Sequence, residues 1–189
     1  LVPKKGATES QVEAVTALNN SANQFKNLGY SQDDANYVGR LLIGGIMSME
    51  TKGNTDWKAD AKQNAAYLVK DVAGINAFDI PIINKRFPGK EFEGDEASVG
   101  AYQMKPNLNF RNKDGSLNSL GKKLEKLGLS VDDITSNNID AQTKAGTLIL
   151  LDNYEKLKKD PNFNIKTGLY KGKIPASYIL AKSWQAGQD

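Results

Sequence analysis

Residues 138–159 read NIDAQTKAGTLILLDNYEKLKK and decide the fold class. The stretch has the length of a long helix, and Asp160 and Pro161 end it. Its apolar residues cover much of the helix circumference: Ile139, Ala145, Leu148, Ile149, Leu151 and Tyr154. Since a helix that is apolar on most sides is buried, this stretch predicts a central helix around which the chain packs.

The rest of the chain predicts further helices and no long strand. Ser31 suits a helix N-cap, with Asp33 and Asp34 in the first turn. The other predicted helices cover residues 8–27, 60–72, 80–86 and 119–127, and a last one opens at Pro175 and runs through residue 183. Residues 91–114 read as a loop with a small hairpin turning at Asp114 and Gly115. The predicted class is therefore mainly α, a helical bundle around a buried central helix.

Length and composition bound the function. A chain of 189 residues fits one domain of ordinary size, and its longest apolar runs, 41–49 and 147–151, fall short of the about 20 residues that span a bilayer. We therefore predict no membrane insertion. The sequence contains no cysteine and no histidine, which excludes thiolate chemistry, Ser-His catalysis and zinc sites built on those ligands. Carboxylates, Lys and Tyr remain as acid–base groups.

The lysines form clusters at residues 122–126, 156–159 and 166–173, on a chain whose net charge is only +3. Such runs mildly favour an anionic partner, although they are more often solvated helix faces. Because the lysines elsewhere alternate with acidic residues, we predict no nucleic-acid partner. No phosphate-binding loop or calcium loop is present, so no cofactor and no metal are predicted.

Glu50 is the most informative carboxylate. Leu42, Ile46 and Glu50 are spaced i, i+4 and i+8, so they lie in one row of the second helix, which should end near Gly53. A carboxylate that continues an apolar row is partly desolvated, and desolvation raises its pKa, as a general acid requires. The same spacing also fits a residue that fringes the helix and reaches water. Gly44 and Gly45 would let another backbone or a ligand approach this helix.

Two stretches flank a possible site. Ile46-Met47-Ser48-Met49-Glu50-Thr51 ends the second helix, and Ser98-Val99-Gly100-Ala101-Tyr102-Gln103-Met104-Lys105-Pro106 lies in the predicted loop. The first resembles the catalytic Glu motif of lytic transglycosylases and goose-type lysozymes. The second resembles that family's Ser-x-Gly-x-x-Gln-x-x-Pro motif at Ser98, Gly100, Gln103 and Pro106. Taken alone, the second stretch also fits an ordinary turn that enters a helix.

Two later stretches extend the resemblance in the same order. Asn138-Ile139 with Ala145-Gly146 is similar to the family's third motif, and residues 181–187, AKSWQAG, are similar to its fourth, with Trp184 for Tyr and Gln185 for Asn. Close packing would equally explain Ala145 and Gly146, and a core position would explain Trp184. It is the joint order of the four stretches that favours the family.

The resemblance implies an α+β lysozyme-like fold with a loop or small hairpin beside a cleft, and cleavage of the β-1,4 bond between N-acetylmuramic acid and N-acetylglucosamine in peptidoglycan. Glu50 would protonate the glycosidic oxygen and then act as a base. Tyr102 and Trp184 would offer apolar faces to sugar rings, while Gln103 and Gln185 would bind hydroxyl and N-acetyl groups. Ser98 and Gly100 would complete the substrate-binding stretch.

The chain departs from the family pattern between the first two motifs. Glu50 and Gln103 stand 53 positions apart, much further than is usual, which predicts an insertion at about residues 55–95. The predicted organisation is thus a helical extension over residues 1–30 and a catalytic domain over residues 31–189. The first residues, Leu1-Val2-Pro3, lack an initiating Met, so we expect a piece of a larger polypeptide, or of a virion or secretion assembly.

Three functions stay open at this point. A lytic transglycosylase needs Glu50 alone, and this is the favoured alternative. A hydrolytic goose-type-like lysozyme would use a second carboxylate, for which Asp95 and Glu96 are the first candidates and Asp56 and Asp60 the next, unless residues 91–96 are only a solvated acidic loop. A non-catalytic peptidoglycan-binding or structural module would keep the fold without activity. All three predict peptidoglycan strands as the partner and a cell-envelope, secreted or virion-associated location.

Overall fold

The computed structural model describes residues 1–51 and 98–186, apart from the side chains of Met49, Thr51, Gln185 and Ala186. This part of the chain is mainly helical and carries a small antiparallel sheet, which confirms the predicted fold class. The predicted helices at residues 60–72 and 80–86, and the predicted insertion at 55–95, lie outside the described residues. No helix in the described ranges is both long enough and apolar enough to cross a membrane.

The first helical stretch is divided in two. Helix α1 (Glu9–Asn20) starts at a capping box, in which the Thr8 hydroxyl accepts from the Gln11 N–H and the Gln11 side chain accepts from the Thr8 N–H. Helix α2 (Ala22–Asn27) follows after Ser21, whose buried hydroxyl donates to the Ala17 carbonyl over 2.6 Å. That side-chain bond competes with the backbone hydrogen bonds of the helix, which explains the break at Ser21. The sequence of residues 8–27 gives no signal of this break.

The second stretch is a continuous rod with a widened turn inside it. Helix α3 (Gln32–Leu41) is capped by Ser31, which accepts from the Asp34 N–H as predicted. A π-helical segment, Leu42–Ile46, follows and is called here the π-turn; helix α4 (Met47–Thr51) continues from it. Gly44 and Gly45 both lie in the π-turn. Single π-turns inside α-helices are often found at functional sites.

The third stretch confirms the predicted central helix. Helix α7 (Ile139–Lys158) is capped by the side chain of Asn138, which accepts from the Ala141 N–H. Most of its first thirteen residues are buried, including the polar residues Gln142, Thr143 and Thr147. It packs against α1, α3, the π-turn and the other long helices of the described chain. The core therefore surrounds α7 on nearly every side.

Shorter elements join these helices. A 3-10 turn (Gly100–Tyr102), helix α5 (Pro106–Phe110), helix α6 (Ser119–Lys126) and a second 3-10 turn (Val131–Asp133) precede α7. The predicted hairpin at residues 114–115 is present as one bridge between Arg111 and Leu117. After α7 come strands β1 (Phe163–Asn164), β2 (Leu169–Tyr170) and β3 (Ile174–Pro175), paired in that order, and helix α8 (Ala176–Ala186). With two residues each, these strands leave no alternating pattern in the sequence.

The N-terminal helix belongs to the main core. Ala14, Val15 and Leu18 of α1 are buried in the same cluster as Leu148 and Leu151 of α7. The predicted division at residue 30 stays a prediction, but residues on both sides of it share one hydrophobic core.

Candidate functional site

Gly146 of α7, in the third motif stretch, contacts the π-turn that precedes the first motif stretch and Trp184 of the fourth. A Cβ added there would lie 2.9 Å from Cδ2 of Leu42 in the π-turn and 3.3 Å from Cη2 of Trp184 in α8. Only a glycine lets both neighbours come this close to the backbone. The close-packing explanation of Gly146 is therefore correct, and the packing joins the rod that ends in Glu50 to the stretch around Trp184.

Gln142, one turn earlier on α7, holds the second motif stretch. Its Oε1 accepts from the Ala101 N–H over 2.9 Å, and its Nε2 donates to the carbonyls of Thr135 at 2.6 Å and Ser136 at 3.0 Å. The side chain is fully buried. A Cβ at Gly100, whose φ is +69°, would overlap the Gln142 amide. Gly100 is thus required by α7 as well as by its own left-handed backbone.

The two aromatic residues predicted to stack on sugars are core residues, so that prediction is wrong. Tyr102 has no exposed surface, its hydroxyl lies 2.9 Å from Oγ1 of Thr143, and burial raises the pKa of that hydroxyl well above its ordinary value. Trp184 is 4% exposed and donates from Nε1 to the Tyr102 carbonyl over 3.2 Å. The physical reason is that α7 and α8 close over both rings and satisfy their polar atoms inside the core.

Gln103 comes directly after the buried turn Gly100–Tyr102. It is half-buried and adopts a left-handed backbone with φ 50° and ψ 44°. Its Nε2 donates to the Gly100 carbonyl over 2.8 Å, and the paired backbone bonds between Val99 and Met104 close the loop beneath it. A left-handed conformation costs a non-glycine residue about 1–2 kcal/mol. Gln occupies this position although Gly would adopt the same backbone conformation without that free-energy cost.

Glu50 lies on α4, which packs against the 3-10 turn Gly100–Tyr102. Leu42 and Ile46, the earlier members of its predicted row, have no exposed surface, whereas Glu50 is half-buried at the end of the row. Burial raises the pKa of the Glu50 carboxyl above its ordinary value of 4.5. The first and second motif stretches are therefore neighbours, and the desolvation inferred from the spacing is present.

The remaining predicted site residues are only partly described. Ser98 is half-buried at the start of the second motif stretch. Asp95 and Glu96, with Asp56 and Asp60, lie outside the described residues, and the same holds for the side chain of Gln185. Among residues 1–51 and 98–186, no group of three acidic side chains is arranged to hold a metal ion.

Sequence reasoning missed Gln142 and Thr143, which position the second motif stretch. Their signal was available: both are polar residues on a helix that is otherwise apolar around most of its circumference. Buried polar side chains are hydrogen-bonded to something, so such residues in a central helix indicate a nearby backbone segment that needs anchoring.

Comparison with known protein families, curated proteins and solved structures finds no significant match to this chain.

Proposed function

We propose that this protein is a peptidoglycan-cleaving muramidase that acts as a lytic transglycosylase with Glu50 as its catalytic residue. One observation carries the proposal. Four stretches that resemble the family motifs, spread over residues 46–186, lie around one end of α7, and the turn that precedes Gln103 packs against helix α4, which carries Glu50. Helical packing alone does not require that these four stretches converge.

The chemistry proposed for Glu50 follows from its partial burial. A carboxyl whose pKa is raised by desolvation holds its proton closer to neutral pH, so it can donate that proton to the departing glycosidic oxygen. The resulting carboxylate then removes a proton from the 6-hydroxyl of the muramoyl residue, and that oxygen attacks the anomeric carbon. The products are a 1,6-anhydro-muramoyl end and a free 4-hydroxyl, and no second carboxylate is needed.

The role proposed for Gln103 is to orient the sugar beside Glu50. Its amide sits on a backbone that Val99, Met104 and Gln142 fix in place, so little side-chain freedom is lost when a hydroxyl or an N-acetyl group binds. Tyr102 and Trp184 support this turn from within the core and do not stack on the sugar.

The deciding experiment is mass spectrometry of peptidoglycan digested by the wild-type chain, by Glu50→Gln and by Glu125→Gln. Glu125 is exposed on α6 and serves as the matched control. We expect anhydro-muramoyl ends from the wild type and from Glu125→Gln, and a rate about 10²–10⁴-fold lower for Glu50→Gln, the usual contribution of a general acid.

The other outcomes are distinct. Reducing muramoyl ends in place of anhydro ends would show that the enzyme is a hydrolase with a second carboxylate. A folded wild-type chain that sediments with peptidoglycan and releases no fragments would overturn the enzymatic proposal in favour of a binding module.

A further inference from the structure

A cavity of about 590 Å³ lies between the N-terminal segment, α1 and the rod formed by α3 and the π-turn. Cavities of this size commonly hold small molecules. The lining residues are Leu1, Val2, Pro3, Lys4, Ala7, Gln11, Val15, Arg40, Ile43 and Gly44. Neither Glu50 nor Gln103 lines it, so the cavity is separate from the candidate active site.

The wall contributed by the N-terminal segment is held in place. The backbone nitrogen of Leu1 donates to Oδ1 of Asn19 over 2.7 Å, and Nδ2 of Asn19 donates back to the Leu1 carbonyl over 2.9 Å. The Ala7 N–H donates to the Lys4 carbonyl, and the Leu1 side chain packs against the main core. The first residue of the segment is thus held against α1 and the core, and a local turn joins Lys4 to Ala7.

The polar groups that line the cavity all favour an anion. Arg40 and Lys4 supply two positive charges, and no carboxylate is among the lining residues that the structure describes. The Gln11 oxygen already accepts from the Thr8 N–H, so the group that Gln11 can offer is its NH₂ donor. The remaining lining is apolar, with Val15 and Ile43 nearly buried. A cavity with hydrogen-bond donors at its opening and apolar residues along its wall complements an amphipathic anion.

Gly44 leaves open space at the exposed edge of the cavity. Glycine is disfavoured inside helices, and at Gly146 close packing accounts for it. At Gly44, by contrast, no atom of the described residues lies within 4 Å of the place a Cβ would occupy. The position borders the cavity. The missing side chain therefore leaves space on the cavity side of the π-turn that no described protein atom uses.

We propose that this cavity is a binding site for a small amphipathic carboxylate, a single anionic head on an unbranched apolar chain. The carboxylate pairs with the Arg40 guanidinium, with Lys4 as the second cation. The apolar chain lies against Val15 and Ile43 and crosses the open face of Gly44. This function is additional to glycan cleavage and does not depend on it.

The test is isothermal titration calorimetry on the full chain with decanoate, decanol and acetate as probes. We expect decanoate to bind with one-to-one stoichiometry, decanol to bind at least about tenfold more weakly because it lacks the charge, and acetate to show no binding because it lacks the chain. Arg40→Gln should weaken decanoate about tenfold and leave decanol unchanged. Gly44→Leu, which adds a good helix former that fills the open space, should abolish binding of both.

Lys122→Gln is the matched control, because Lys122 is an exposed cation on α6 that does not line the cavity. It should bind decanoate like the wild type. No heat from decanoate with the folded wild type would overturn the proposal, and so would equal affinity in the wild type, Arg40→Gln and Gly44→Leu. None of these readouts uses peptidoglycan, so the proposed glycan cleavage stands or fails separately.

Discussion

Gln103 and Lys171 share an unusual backbone but stand in opposite surroundings. Among the described residues they are the two non-glycine positions with positive φ, at 50° and 49°. Lys171 lies at the exposed tip of the β2–β3 hairpin, followed by Gly172 with φ 69°, and the Lys173 N–H donates to the Tyr170 carbonyl across the turn. Gln103 follows three buried residues and is held above α7.

The comparison distinguishes two reasons for a left-handed residue. At Lys171 the turn requires the conformation, whereas at Gln103 the conformation positions the side chain. Tight hairpins require positive φ at both central positions, so the conformation of Lys171 follows from the hairpin, and its Nζ merely lies over the Tyr170 ring at 5.7 Å. Gln103 instead ends a longer loop, whose flanking residues Val99 and Met104 pair through two backbone hydrogen bonds. There the buried contacts of Gly100, Ala101 and Tyr102 impose the backbone, and the side chain bonds back to the same turn. A left-handed backbone alone therefore does not identify a functional residue.

The largest effect on stability should come from Gly100→Ala, which disturbs the packing of this turn against Gln142. The new Cβ would overlap a buried amide that three hydrogen bonds hold in place, on a backbone with positive φ. We expect the free energy of unfolding to fall by about 4 kcal/mol, measured by urea denaturation. Gly115→Ala is the control, because Gly115 also has positive φ but has open space at its Cβ. It should cost only about 1–2 kcal/mol, and equal losses in the two variants would remove Gln142 from the explanation.

Gln142→Leu should have the next largest effect. It leaves the Ala101 N–H and the carbonyls of Thr135 and Ser136 without their partner, and the expected loss of stability is about 3 kcal/mol. Gly100→Ala should then cost less in a Gln142→Ala background, because the overlapping amide is gone. A double-mutant cycle measures this coupling. Strict additivity would mean that the two residues do not act on each other.

A matched pair at the two left-handed positions tests the comparison directly. Lys171→Gly relieves the backbone and removes little else, so the protein should become more stable by about 1 kcal/mol, with glycan cleavage unchanged. Gln103→Gly relieves the same backbone but loses the bond to the Gly100 carbonyl, so its stability should change by less than about 1 kcal/mol while cleavage drops. Thermal denaturation and the muropeptide assay give both readouts. Full activity in Gln103→Gly would reduce Gln103 to a turn residue like Lys171.

The smallest effect concerns the pH dependence of stability at Glu50. Because burial raises its pKa in the folded state, ionisation is harder there than in the unfolded chain. The contribution of protonated Glu50 is fully present below the unfolded-state pKa and is lost as pH rises through the folded-state pKa. Glu50→Gln should therefore match the wild type in strong acid and become slightly more stable above that window. Melting curves across this pH range would contradict the burial of Glu50 if the two proteins never diverged.

Local signals made much of the fold predictable. The cap at Ser31 and the apolar circumference of α7 are read from neighbouring residues, and the structure has both. The π-turn and the two-residue strands were not predictable, because a change in hydrogen-bond spacing and a minimal sheet leave no periodic pattern. Both depend on contacts made elsewhere in the chain.

For the candidate site, the sequence predicted the partial burial of Glu50 but neither the roles of Gln142 and Thr143 nor the positions of the aromatic rings. Leu42, Ile46 and Glu50 lie in one row because of helix spacing alone. The sequence was therefore enough to predict a partly desolvated carboxylate at Glu50. The rings of Tyr102 and Trp184 could not be placed, since an aromatic residue in a motif has the same letter whether it faces a groove or the core. Their burial, together with the hydrogen bond from Trp184 to the Tyr102 carbonyl 82 positions earlier, shows that both rings face the core.

The hydrogen bond between Trp184 and Tyr102 also bears on the order in which parts of the structure form. Trp184 lies near the end of the described chain, and its contacts with Tyr102 and Gly146 complete the frame that presents Gln103. Closing such distant contacts is slow compared with forming helices. The turn that carries Gln103 should therefore reach its final position only after the surrounding helices have formed.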